Sequence, residues 1–452
     1  MFINVRKQRK ASSSFLTLSL LAAAVSLGAA ELQAQTMNDT KYATAAELGL
    51  MEGFPVPADK QVTKENALQT PPYNRWSYQN MRMFYPSADI PAAEVAIPLK
   101  KSIDQNLAKN VKVKNAEGEE RTLDQFMTET WGDSLVVIKG DKVVYEDYRN
   151  GMTEDQPHQM MSVTKSFGGL LGLMLVEEGK FKETDLVTDF IPELKNASGF
   201  EGATVGQVLD MTNSMDFTEV YSDPTSGIRT YGAVLGWTGK VDGVDYPESL
   251  YDYLGTLDID QEHKHGDIFH YQTPKTDVVN WINNRTSAES FQDAMYSKLW
   301  SKLGTDGETY VLLDNNGTLV AGGGLNASPK NLTKFATMLL NDGNYNGEQI
   351  VPKSVIDSIA AGGDKQAFAN GPDASDNMPG GEWSYRAQWW VKHTPGAEAF
   401  MAIGIHGQWI YIDRDRDVAI VKQSSAPDSV TPEQELYDLN GLSAIVDYVS
   451  QH

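Results

Sequence analysis

Two short runs rich in β-branched residues, Ser134-Leu-Val-Val-Ile-Lys139 and Lys142-Val-Val-Tyr-Glu-Asp-Tyr148, flank Gly140-Asp141. That turn chemistry between two strand-like runs predicts a β-hairpin. Upstream, Leu99, Ile103 and Leu107 have helical spacing, with Pro98 suited to a first turn, so Ile97 to Ala108 is expected to be helical. Downstream, an apolar run continues from Ser162 through Leu175 and stops near Gly179, a suitable residue to end a helix. Gly168, Gly169 and Gly172 would weaken that helix in isolation, which implies close packing at the centre of the fold.

Residues 180 to about 305 read as helices and loops, with Thr204 capping a short helix and two helices filling Thr276 to Leu303. Strand character returns near Tyr310, and Asn316-Gly317 marks a tight turn. Ser328-Pro329 is an N-cap and first-turn pair that starts a helix ending at Asp342-Gly343. Strands are expected at Tyr385 to Val391, Phe400 to Asp413 and Val418 to Lys422, followed by a final helix from about Glu433. Strands at both ends with helices between them imply an α/β (α+β) domain, its sheet built from both termini around an inserted helical subdomain.

Composition adds an address and several exclusions. Arg6, Lys7, Arg9 and Lys10 precede an apolar run from Phe15 through Leu27 and then Gly28-Ala29-Ala30, the make-up of a secretory signal peptide. Residues 1–34 are therefore expected to be removed, with cleavage after Ala30 or Ala34, leaving a periplasmic or extracellular protein. Residues 35–89, rich in proline and aromatics, are expected to form an extended arm across the main domain at 90–452. No later stretch reaches about 18 uninterrupted apolar residues, so stable membrane insertion is not expected. The chain has 0 cysteines, which excludes a disulfide scaffold, a cysteine nucleophile and a thiolate metal site. A formal net charge of -23 argues against nucleic acid or anionic lipid as a partner.

Ser162-Val163-Thr164-Lys165 places a hydroxyl and an amine on one face of the first helical turn. A lysine held in a poorly solvated pocket gives up its proton readily and can serve as base to the serine. Helix N–H groups there would favour a developing oxyanion. The plain alternative is a buried helix with a polar N-cap. Tyr271, on a loop running into the helix at Thr276, is either a proton relay or a packing residue. Gly404 and Gly407 interrupt an apolar strand, which suits a backbone approached closely by substrate but equally a bend in a sheet. His263, His265 and Asp267 lie in a short polar loop without a further cluster, and no phosphate loop or metalloprotease motif occurs, so neither metal nor cofactor is expected.

Taken together and in order, these pieces resemble the serine β-lactamase and penicillin-recognising superfamily. Within it the chain is most similar to the class C-like hydrolases that include 6-aminohexanoate-dimer hydrolases and related esterases. Ser162-Val-Thr-Lys-Ser-Phe, Asp210-Met-Thr, Tyr271, Thr276-Asp277-Val-Val, Gly323-Gly-Leu325, Tyr385-Arg-Ala-Gln-Trp-Trp390 and Gly404-Ile-His-Gly-Gln408 carry the likeness. The resemblance implies Ser162 as nucleophile, Lys165 as base and Tyr271 as proton relay, with the backbone N–H groups of Ser162 and Ile405 binding the oxyanion. It also implies that Tyr221 closes over the substrate, with His406, Trp389 and Trp390 beside it.

Two departures stand out. Tyr271-Gln272-Thr273 replaces the usual Tyr-x-Asn, and Ala402-Ile403-Gly404 replaces the Lys-Thr-Gly or His-Thr-Gly whose charge helps hold a substrate carboxylate. The expectation is an exported serine hydrolase of small amides or esters, with no cofactor and an oligomeric state left open. The alternatives are a short-chain carboxylesterase, a β-lactamase or D,D-peptidase, and a silent relative that binds cell-wall peptides or another protein.

Overall fold

The computed structural model describes residues 41–452, so the proposed leader at 1–34 lies outside the described residues. Strand β1 is Ser87–Asp89, β2 Lys100–Lys101, β3 Gly132–Lys139, β4 Lys142–Tyr148 and β5 His158–Gln159. Later in the chain come β6 Tyr310–Leu312, β7 Leu325–Ala327, β8 Trp383–Arg386, β9 Trp389–Lys392, β10 Ala399–Gly404, β11 Gln408–Asp413 and β12 Val418–Ser424. Helices that matter for the site are α1 Val163–Glu177, α2 Val205–Leu209, α3 Gly227–Leu235, α4 Pro274–Ser287, α5 Pro329–Leu340 and α6 Pro432–Val449.

The main sheet has eight strands in the order β8-β9-β10-β11-β12-β3-β4-β2. It is antiparallel except for the two-residue parallel contact of β2 with β4. Strands from the two ends of the chain meet where β12 pairs with β3, Val421 opposite Val136. Alternation along β3 serves both faces, as the period of two requires. Val136 and Ile138 join Leu170 and Phe335 in one core, while Leu135 and Val137 join Leu442 and Ile445 in the other. The sheet is thus sandwiched between α1 with α5 on one side and α6 on the other. Helix α1 is buried on every side, every residue from Val163 to Leu175 included, and is apolar after its first turn.

The hairpin of β3 and β4 forms at the expected turn, with Gly140 at φ +62°. Ser328 caps α5 by accepting the Asn331 N–H, and Thr204 caps α2 in a reciprocal capping box with Gln207. Three local expectations are corrected. Ile97 to Ala108 is not a helix: the Ile97 N–H donates to Gly304 O, and the Ser102 and Asp104 N–H groups donate to Val143 and Val144, so the segment runs along the sheet edge. Only Leu107–Asn110 turns helically. Tyr385 to Val391 is two strands rather than one, folded at Ala387 and Gln388 with φ +46° and +68°. Phe400 to Asp413 is likewise a hairpin, β10 and β11, turning through residues 405–407.

Residues 41–86 are held against the domain through polar anchors. Asn74 Nδ2 donates to the carbonyls of Ser425 (3.2 Å) and Ala426 (2.8 Å). Arg75 pairs with buried Asp133 at 2.9 Å, and Asp133 in turn meets His158 Nε2 at 3.1 Å. This chain of contacts ties the segment to β5, four residues before Ser162. A second sheet, β1-β6-β7-β5, closes the same end of the molecule.

Candidate active site

Ser162 occupies the N-cap position of α1, directly after Met161, which is held at φ +48°. A non-glycine residue in that region costs on the order of 1 kcal/mol, so surrounding structure must enforce it. The enforcing contacts are local: the Val163 and Thr164 N–H groups donate to Met160 and Met161 carbonyls, and Thr164 Oγ1 donates to Met161 O at 2.6 Å. Gly404 at the end of β10 lies so close that a Cβ there would sit 2.6 Å from Met160 O. Only glycine lets that strand end come up beside the serine. Gly169, about two turns along α1, is pressed even harder, with a Cβ position 1.9 Å from Ala387 O.

Lys165 lies beneath the serine, its Nζ 2.8 Å from Ser162 Oγ and 2.6 Å from Gly322 O. Burial brings its pKa down from 10.5 to about 8, against the opposing pull of Glu219 and Asp277. Asp277 on α4 accepts the Tyr231 hydroxyl at 2.7 Å and the Gly322 N–H at 3.3 Å. Burial pushes its carboxyl up to about 7, with Tyr231 and Lys165 pulling it down. Gly322 therefore stands between amine and carboxyl, its carbonyl toward Lys165 and its N–H toward Asp277.

The Tyr271 ring carries Lys165 Nζ over its face at 5.1 Å from the centroid. Burial and then the Glu219 charge drive its phenol well above the ordinary value, while a hydrogen bond with Ser162 draws it down. Its backbone N–H donates to Asp373 Oδ2 at 2.8 Å. Trp390 stacks on the ring at 5.6 Å and 25°, fixing its plane from behind. Tyr221 donates its hydroxyl to Glu219 Oε1 at 2.6 Å. The same carboxylate accepts the Thr273 N–H and hydroxyl, both at 2.7 Å.

Ser162, Tyr221 and Ile405 line one narrow pocket of about 60 Å³, with Leu68, Ile228 and Trp237 among its apolar walls. Neither the Ser162 nor the Ile405 N–H makes a backbone hydrogen bond among the described residues, so both are free to receive an oxyanion. Three residues expected beside the substrate, Trp389, Trp390 and His406, do not line this pocket; Trp390 stacks on Tyr271 instead. Trp389 is fully buried on the opposite face of β9, packed on Phe335 and Phe400. Neighbouring residues of one strand point to opposite faces, so Trp389 and Trp390 cannot share a wall. His406 is also buried: its Nδ1 bonds Ala426 O at 2.8 Å and its ring lies edge-on to Tyr78. It holds the turn that presents Ile405, and does not touch the pocket. Lys392 and His393 belong to the far hairpin end, where His393 Nε2 meets Ser384 Oγ at 2.8 Å.

A scan of family models matches residues 120–444 to the family described as Beta-lactamase. The chain belongs to the β-lactamase family. As a member it is a serine hydrolase, and its relatives narrow the neighbourhood. It is 32% identical over 364 residues to the 6-aminohexanoate-dimer hydrolase of Paenarthrobacter ureafaciens, across 80% of this chain and 88% of that one. A solved structure from Bacillus anthracis, named provisionally as a 6-aminohexanoate-dimer hydrolase, superposes with a TM-score of 0.78 at 29% identity, across 88% of this chain and 99% of that one. The octameric penicillin-binding protein homologue of Pyrococcus abyssi shares the fold, with a TM-score of 0.52 at 20% identity over 71% of this chain and 76% of that one.

Against that family background, Ala402-Ile403-Gly404 forms the end of β10 with no cationic side chain. Sequence reasoning assigned no role to Glu219, Asp277 or Asp373. Asp277 had a visible signal, an acid flanked by Val278, Trp281 and Ile282 in a helix whose residues from Pro274 to Asn283 are all buried. Glu219 and Asp373 had none, since each enters the site from a loop. Among the described residues no group of three or more His, Asp or Glu is arranged to hold a metal. His265 uses both ring nitrogens on backbone, accepting from Ser214 N–H and donating to Glu201 O.

Proposed function

We propose that the protein is an exported hydrolase of linear amides and esters that works through an acyl-serine at Ser162. The observation carrying this reading is the buried amine of Lys165 set 2.8 Å from Ser162 Oγ at the foot of an apolar pocket. Neutral Lys165 has two N–H bonds and one lone pair. One N–H is engaged by Gly322 O, which leaves the lone pair for the serine proton. Ser162 Oγ attacks the substrate carbonyl as that proton passes to Lys165, and the carbonyl oxygen takes up the electron pair between the Ser162 and Ile405 N–H groups. Collapse expels the leaving group, which takes a proton from the Tyr271 hydroxyl, and that proton is replaced from Lys165. Water then enters, loses a proton to the same base and releases the acid and free Ser162.

Linear substrates fit better than β-lactams for a reason of charge. A β-lactam ring fixes its carboxylate beside the scissile bond, on the strand side, where Ala402-Ile403-Gly404 offers no cation. An unpaired carboxylate there costs several kcal/mol, about a thousandfold in rate. The similarity to a 6-aminohexanoate-dimer hydrolase points the same way. Export is proposed on the leader-like segment at 1–34 and is checked by the N-terminus of the mature protein. The purified protein should hydrolyse short p-nitrophenyl esters and linear aminoalkanoyl amides, and leave nitrocefin largely intact. Efficient nitrocefin turnover with weak ester activity would replace this reading with a true β-lactamase.

A further inference from the structure

Arg229 on α3 differs from the other arginines. Among the described residues, Arg75, Arg82, Arg121, Arg149, Arg285, Arg386, Arg414 and Arg416 each lie within 4.0 Å of a carboxylate. Arg229 has no such partner among the described residues; its guanidinium makes only a long 3.4 Å contact with the neutral Gln69 amide oxygen. It is half-buried and lines both the inner pocket that contains Ser162 and the wider vestibule outside it. Trp237 and Leu68 line both spaces with it, so the charge sits at a neck with apolar walls. Three carboxylates also face the vestibule, Glu65, Glu219 and Asp428. Glu219 is occupied by Tyr221 and Thr273. A half-desolvated guanidinium facing a substrate pocket without a protein counter-ion is a receptor for an anion, and its planar fork matches a carboxylate.

We propose that Arg229 is a specificity-determining residue that receives a free carboxylate on one end of the linear substrate, at the neck opposite Ser162. The inference rests on the acyl-serine reading of the same pocket and adds the charge of its substrate. It also revises the view that the pocket has no cation: the family's strand-side cation is missing, and a positive charge is supplied from the helical wall instead. Flexible chains can bring a distant carboxylate to that wall, whereas a β-lactam carboxylate fixed beside the reacting carbonyl cannot reach it.

The test uses two matched pairs on the full mature protein. One pair is the p-nitrophenyl monoester of a linear dicarboxylic acid and its methyl-capped diester, which differ in charge on the acyl side. The other is a linear dimer of an aminoalkanoic acid and its C-terminal primary amide, which differ on the leaving side. Wild type should favour the charged member of one pair by about tenfold or more, carried in KM rather than kcat. Arg229→Gln should bring that ratio toward one, and Arg229→Lys should restore part of it. Whichever pair responds assigns the end that Arg229 holds. Fluorophosphonate labelling of Ser162 in each variant confirms an intact site. Calorimetry on Ser162→Ala with and without Arg229→Gln, using both members of the dimer pair and the diacid monoester with its diester, reads the same preference without turnover. Loss of labelling and of all hydrolysis would overturn the hydrolase reading alone. Equal affinity for charged and neutral members in both pairs, or a preference that survives Arg229→Gln, would overturn the role of Arg229.

Discussion

Lys165 can act as base only when it is neutral, and burial sets how often that is. With a pKa of about 8, the amine is neutral in about 1% of molecules at pH 6, about 9% at pH 7 and about 91% at pH 9. The specificity constant for a p-nitrophenyl ester should therefore climb nearly tenfold per pH unit below pH 7 and level off above about pH 8. Asp277 raises that pKa through its charge, so Asp277→Asn should move the rising limb to lower pH, on the order of one pH unit. Stability carries the same signature. The unfolded chain keeps the Lys165 proton up to about 10.5 while the native protein releases it near 8. Between those values the unfolded state binds the extra proton, so this group's contribution to stability improves as pH rises through that window. Below pH 8 the native fold bears the full cost of about 3 kcal/mol. Lys165→Met removes that cost but leaves the Gly322 carbonyl without its donor, about 1–3 kcal/mol. The variant should thus be inactive yet no less stable than wild type at pH 7, and its advantage should shrink toward pH 10.5. Ester kinetics from pH 6 to 9 and urea unfolding at both ends of the window measure these effects. A flat rate profile, or a limb that Asp277→Asn leaves in place, would refute the reasoning.

Other consequences follow from single contacts. Gly169→Ala drives a methyl group into the backbone carbonyl of Ala387, and should destabilise the fold by about 2–3 kcal/mol, read as a lowered Tm; an unchanged Tm would mean that α1 and the β8–β9 turn are not in contact. Tyr221→Phe removes the hydroxyl that donates to Glu219 at the wall of the pocket that contains Ser162. It should slow amide cleavage at least tenfold while changing ester cleavage by less than about threefold, because only an amine needs prompt protonation. Matched ester and amide specificity constants decide this, and equal losses would place Tyr221 in binding alone.

Much of the fold was readable where local chemistry and tertiary position agree. Gly140-Asp141, Ser328-Pro329 and Thr204 each announce a turn or a cap, and each is found there. The run from Tyr385 to Val391 misled because its turn uses Ala387 and Gln388, residues that seldom take positive φ. With no glycine, proline or asparagine to mark it, two strands look like one. Pro98 and the spacing of Leu99, Ile103 and Leu107 suggest a helix only until Val143 and Val144 offer their carbonyls. In the site, Ser162 and Lys165 were legible because three residues of helix fix their relation. Tyr271 depends on a loop whose path the sequence does not reveal, and the Gly322 carbonyl under Lys165 has no side chain to signal it. Arg229 and Glu219 are ordinary surface charges until the fold shows which one has a partner.

The central claim is that Ser162 is the nucleophile and carries the acyl group. Ser162 makes no side-chain capping bond, so Ser162→Ala should fold normally and lose only its contacts with Lys165 and Tyr271. The direct measurement is intact-protein and peptide mass spectrometry after brief reaction with a slowly released p-nitrophenyl ester, quenched in acid. Wild type should gain one acyl mass on the peptide containing Ser162, with a matching burst of p-nitrophenol, and Ser162→Ala should gain none. An acyl adduct on another residue, or steady hydrolysis by Ser162→Ala without any adduct, would contradict the account.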